Sequence, residues 1–213
     1  MSIRLQVVTS RVVELLVNPA ATWQRIAQED DDPRQLVWRY VLLLAAAAAA
    51  CLFVGNLLFG QGFWFSLIYA LLLLFVFTSL VFAQGLLINA LAPLFETAPD
   101  EDAALRLAAY CATPVCVAGL TTLAPSLTPL AVLAGFGYSA YLFHAGCAVL
   151  LETPPARKLK FALVATGAWF VMVLVVALVV SRVAALLFAP ALVMQQLTGP
   201  AVGSPTPPLP GNH

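Results

Sequence analysis

Side chains able to do chemistry are scarce in this sequence, and their positions decide which chemistry is open. The two histidines are His144, inside a long apolar stretch, and His213, in a proline-rich tail. No HExxH pattern accompanies them, so a zincin-type metal site has no ligands to draw on. No Asp or Glu lies within any apolar stretch, which removes paired-carboxylate hydrolysis and carboxylate proton relays. Ser66, Ser79 or Ser139 would have to act with His144, and no GxSxG elbow presents any of them as a nucleophile. Cys51, Cys111, Cys116 and Cys147 fit neither a CxxC pair nor a disulfide framework, and they read as small apolar residues. No catalytic, cofactor-binding or metal-binding set is expected.

What remains is a handful of neutral polar groups in apolar surroundings, where each needs a partner. Asn89, Thr113 and His144 each lie about seven residues in from the same end of their helices, roughly 10 Å deep at 1.5 Å per residue. Pro114 follows Thr113 and leaves the Tyr110 carbonyl, one turn back, without its amide donor. Asn89, Tyr110, Thr113, Pro114 and His144 are therefore expected to form a polar layer joining three helices. Such a layer serves either as interhelical glue or as the wall of a solute cavity.

The elements that must position this layer follow from composition. Of 213 residues, 62% are hydrophobic and 9% charged, with a formal net charge of zero. Soluble domains carry about a quarter charged residues. The balance excludes a soluble globule and a disordered chain, and it argues against a nucleic-acid partner. The chain reads as an all-α integral membrane protein. Residues 40–95 hold no charge, and as one helix they would run about 84 Å against a hydrocarbon core of roughly 30 Å. They must fold back, at Phe59-Gly60-Gln61-Gly62. Residues 107–151 divide likewise at Pro125-Ser126-Leu127-Thr128-Pro129, and 161–181 supply one more crossing. A bundle of five spans is expected, near 38–59, 63–95, 106–124, 130–151 and 161–182, within a membrane domain of residues 36–190.

Nine of the ten basic residues fall on one side of this arrangement, with Arg182 the exception. The positive-inside rule then places the N-terminus in the cytoplasm and the C-terminus outside. No cleavable signal peptide is evident, so the first span serves as the insertion signal. Residues 1–35 form the cytoplasmic N-terminal segment. Its stretch 3–17 reads as an amphipathic interfacial helix with Leu5, Val8, Val12, Leu15 and Leu16 on one face, set on lipid or over the end of the bundle. Asn18-Pro19 and Asp32-Pro33 each read as an N-cap with proline at the first helical position. Small residues at 45–50, and Gly135 with Ser139, favour close helix approach. Residues 198–213, rich in Pro and Gly, are expected to be disordered.

Three motifs carry a family resemblance. Pro19 with Trp23 and Ile26 ahead of the first span is similar to the lead-in of the Yip family of Ypt/Rab-interacting membrane proteins. The run from Ala109 to Leu120, with Tyr110 and Pro114, resembles that family's third span. Tyr138, Tyr141 and Gly146, followed by Thr153-Pro154 and Arg157-Lys158, resemble its fourth span and the following loop. The chain lacks the long N-terminal region of the eukaryotic members and resembles the compact prokaryotic form. The resemblance implies a five-span, non-enzymatic protein, here of a bacterial inner membrane. Its partners would be the lipid bilayer, a membrane or cytoplasmic protein, and a second copy of itself in a homo-oligomer. The expected role is an adaptor or scaffold for proteins or lipids. The alternative is a small-solute or lipid transporter that uses the polar layer.

Overall fold

The computed structural model describes residues 2–29 and 32–198, and all regular structure among them is helical. Two short helices, α1 (Ser2–Val17) and α2 (Pro19–Ile26), precede five long ones. These are α3 (Pro33–Leu58), α4 (Phe63–Phe95), α5 (Glu101–Leu123), α6 (Thr128–Leu150) and α7 (Lys158–Thr198). All five are long and apolar enough to cross a membrane. The chain is a multi-pass membrane protein.

Local chemistry sets where the helices start. Asn18 accepts from the Ala21 amide with Pro19 at the first helical position, and Asp32 accepts from the Arg34 amide ahead of α3. Asp100 accepts from the Ala103 amide at 3.0 Å, with Glu101 and Asp102 in the first turn of α5, where the helix dipole favours them. These caps start α3 and α5 several residues before the apolar stretches begin. At the other end of the chain, α7 runs unbroken past Arg182 and Pro190 to Thr198, so the apolar run after Arg182 is an extension of the fifth span. The expected tail lies outside the described residues, except for Thr198, which closes the helix.

α5 is the central post, with 72% of its most apolar stretch buried, against 22–39% for the other four. Small residues let its neighbours approach. A Cβ on Gly85 of α4 would lie 3.0 Å from Leu105 Cα, and one on Gly135 of α6 would lie 3.0 Å from the Pro114 carbonyl. On α3, Ala45 and Ala49 are buried, and Ala48 packs so closely on Gly119 that a Cβ there would sit 2.8 Å away. The small-residue stretches expected on the first and fourth spans are the contacts made with the third.

Two irregularities interrupt the long helices, the first without an obvious sequence signal and the second at Pro114. Residues 37–41 of α3 form a π-helical turn, and α5 breaks at Ala112 between two helical segments. The connections α4–α5 and α6–α7 share a design, Glu96-Thr97-Ala98-Pro99 and Glu152-Thr153-Pro154-Pro155. Both glutamates are left-handed (φ 59° and 49°), the two threonine hydroxyls bond at 3.2 Å, and Glu96 pairs with Arg157. The two loops are thereby tied together at the end of the bundle that carries α1 and α2.

Candidate functional site

The residues shared by the motifs converge on Tyr110. It sits at the last turn before the break in α5 and is almost fully buried. Three elements meet its ring. Trp23 from α2 makes an edge-on contact at 6.0 Å between centroids, and Tyr40 from α3 a tilted one at 5.2 Å. The Arg11 guanidinium from α1 lies 6.0 Å from the ring centre, within cation–π range. Gly146 of α6 completes the lock, because only a residue without a side chain leaves room for the Trp23 ring against it. Pro19, the remaining motif residue of this segment, is buried at the start of α2.

Polar contacts hold α1 and α2 over this cluster. Arg11 pairs with Glu29, and Arg25 with Glu14. Arg106 of α5 donates to the Ile26 and Glu29 carbonyls where α2 ends, and the Ile26 carbonyl also accepts from the Glu29 amide. Burial, the largest influence, works against the Arg11 charge, but the bond to Glu29 together with the charges of Tyr110, Glu29 and Glu14 outweighs it and raises the pKa. Tyr138 of α6 donates to the Leu16 carbonyl at 2.7 Å. The apolar stripe of α1 faces the bundle. Leu15 is fully buried, and Val8 and Val12 pack against the core.

The polar layer differs from expectation in its partners. Thr113 is fully buried and bonds the Tyr40 hydroxyl at 2.9 Å, so it joins the third span to the first. At the Pro114 break it is the Cys111 carbonyl that gains a side-chain donor, from Ser139 at 2.6 Å. Asn89 Oδ1 and His144 Nδ1 are buried with no hydrogen-bond partner among the described residues. The expected exchange among Asn89, Thr113 and His144 is therefore replaced by Tyr40–Thr113 and Ser139–Cys111. The physical reason is helix rotation. The small-residue contacts fix which face of each helix turns inward, and depth alone does not. The π turn is the signal that was missing for Tyr40, since it lies within Val37–Val41 and such turns re-aim side chains at functional sites. Tyr141 stays outside the cluster, 52% exposed and packed against the Tyr138 ring.

The Tyr40–Thr113 bond lends itself to a double-mutant cycle. Tyr40→Phe and Thr113→Val should be coupled by about 0.6–1.7 kcal/mol, the range for hydrogen bonds between membrane helices. Thermal midpoints of the four proteins in one detergent measure it. Strictly additive effects would mean that the bond contributes nothing to holding α3 on α5.

No curated protein and no solved structure matches this chain. A family model does, that of the Yip1 domain, over residues 13–179. The match opens inside α1, ahead of the first span, and closes in α7, so it takes in Trp23, Tyr110 and Gly146 together with four long helices and the first half of the fifth. A chain with five membrane-capable helices, Trp23 and Gly146 interlocked over Tyr110, and a match across most of its length belongs to the Yip1 domain family.

Proposed function

We propose that this protein is a non-enzymatic membrane adaptor that binds other proteins or lipids at the end of the bundle carrying α1 and α2. The observation behind this reading is the lock itself. Residues from α1, α2, α3, α5 and α6 converge to hold the N-terminal helices in one fixed pose. A surface held in this way is pre-organised for a partner. The distribution of basic residues supports a cytoplasmic position for that surface, and the resemblance to the compact form supports a bacterial inner membrane. Beside it lies a groove of about 360 Å³ lined by Arg34, Glu101 and Asp102 together with Phe82 and Leu105, charges of both signs beside apolar side chains, which suits a lipid as well.

The test is extraction into native nanodiscs followed by mass spectrometry of whatever proteins and lipids co-purify. Deleting residues 1–17 would remove buried Leu15 and the Arg11 pair, so the informative variant is Gln24→Arg with Gln28→Arg on the exposed face of the hairpin. A stoichiometric partner that is present with the parent protein and lost with the variant is the expected result. Recovery of the protein alone or self-associated, with one small molecule enriched, would overturn the adaptor.

One observation favours the transporter reading. Gln84 of α4 is 1% exposed, and both its amide atoms lack a partner among the described residues, as do Asn89 Oδ1 and His144 Nδ1. Unpaired polar atoms facing the bundle interior are what a solute path would use. Gln84→Leu separates the readings. It should abolish flux from loaded vesicles if the path is real, and otherwise leave the fold equally or more stable.

A further inference from the structure

The contacts of α1 and α2 fix how deep they sit beside the spans. Phe143 of α6 meets Phe161 of α7 at 5.1 Å, and the two helices run in opposite directions. Three residues nearer the connecting loop on each, Gly146 and Lys158 therefore lie within about a turn of one level. Lys158 and Lys160 open α7 just where its outward surface turns apolar, with Leu159 59% and Leu163 58% exposed, which marks that level as the edge of the hydrocarbon. Trp23 touches Gly146, so α2 crosses this edge. Tyr138 lies eight residues deeper on α6, about 12 Å farther in. Its hydroxyl reaches the Leu16 carbonyl at 2.7 Å. Helical side chains lean toward the helix N-terminus, which for α6 is the deep side, so Leu16 lies no shallower than Tyr138.

The surface of the pair follows the same gradient. Near the turn the outward residues are apolar except for Asn18 at the tip, with Val13 57% and Val17 77% exposed and Ala20 and Ala21 exposed as well. Toward the open end they are polar: Gln6, Ser10, Gln24 and Gln28. Glu14 and Arg25, between these zones, neutralise one another. The turn also satisfies several of its own polar groups. The Asn18 amide donates to the Glu14 carbonyl at 2.8 Å, and the Asn18 carbonyl accepts from the Thr22 hydroxyl at 2.8 Å. The Asn18 side chain accepts from the Ala21 amide at 3.4 Å. Non-spanning backbone at membrane depth has this requirement, and a helix cap lying in water does not.

We propose that α1 and α2 form a re-entrant hairpin whose tip, Val13, Val17 and Ala20, is embedded among the acyl chains of one leaflet. The open end remains in water and carries the polar face. The inference concerns the tip and does not depend on the adaptor reading.

Depth-dependent quenching tests it on the full chain. A fluorescent non-canonical residue is placed at position 17 or at position 10, both exposed, in vesicles of phosphatidylcholine with phosphatidylglycerol. The lipids carry a nitroxide either at the headgroup or deep in the chain. Position 17 should be quenched about threefold more by the deep nitroxide than by the headgroup one, and position 10 should show the reverse order. Stronger headgroup quenching at position 17, or one pattern at both sites, would overturn the proposal. Val17→Asp and Ser10→Asp provide an independent reading without a probe. Loss of thermal stability in vesicles for the first alone supports the embedded tip, and equal behaviour of the two refutes it.

Discussion

Trp23→Ala should lower the stability of the detergent-solubilised protein by about 3–5 kcal/mol, the range for removing a large aromatic side chain from a packed core. The Trp23 ring is fully buried and meets Tyr110 at 6.0 Å. A cavity left there cannot collapse easily, because Tyr110 is also held by Tyr40 and Arg11 on its other sides. The Trp23 Nε1 has no hydrogen-bond partner among the described residues, so no bond is lost with it. Trp23→Phe, which keeps an aromatic face, should accordingly cost less than half as much. Thermal midpoints give the ranking, and limited trypsin digestion locates the damage, since Arg11, mostly covered in its pair with Glu29, becomes accessible if the hairpin lifts. A change within about 0.5 kcal/mol for Trp23→Ala, the scale of ordinary surface substitutions, would show that the hairpin is not part of the cooperative core.

Gly146→Ala is the second large effect, and its sign is set by a contest. In a helix interior alanine is intrinsically better than glycine by about 1 kcal/mol. Here, however, the new Cβ would sit 2.6 Å from Leu107 Cδ1 and 2.7 Å and 2.8 Å from two atoms of the Trp23 ring. Leu107 and Trp23 are both fully buried, so neither has open space to move into. Overpacking of this kind costs about 1–3 kcal/mol, and a net destabilisation is expected. Gly137 on the same helix provides the control, because a Cβ there meets nothing within 4 Å, and Gly137→Ala should be neutral or stabilising. Combining Gly146→Ala with Trp23→Leu should recover part of the loss, a coupling of about 1 kcal/mol in a cycle of thermal midpoints. If Gly146→Ala and Gly137→Ala behave alike, Trp23 is not locked against α6.

The two substitutions test one arrangement from opposite sides. Trp23 supplies the volume and Gly146 the space, and they lie on helices separated by more than a hundred residues. The family match, which opens at residue 13, includes both.

The sequence by itself determined the membrane class, the five crossings and the starts of the capped helices. Each of these rests on local physics. About twenty apolar residues are enough to cross the hydrocarbon, and an Asn or Asp ahead of a Pro caps a helix wherever it lies. It also picked out Trp23, Tyr110 and Gly146 by resemblance, without saying that they touch. Only the tertiary structure decided that Thr113 bonds Tyr40 while Asn89 and His144 find no partner among the described residues. Depth along a helix can be counted from the sequence. Rotation about its axis cannot, because close approaches such as Gly85 on Leu105 and Gly135 on Pro114 set it from residues far apart in the chain. The same holds for α1. Its apolar stripe is legible at helical spacing, but lipid and protein are equally good solvents for valine and leucine. The stripe turned inward because Tyr110, Trp23 and the Arg11–Glu29 pair offered it a shaped partner, and a bilayer offers none.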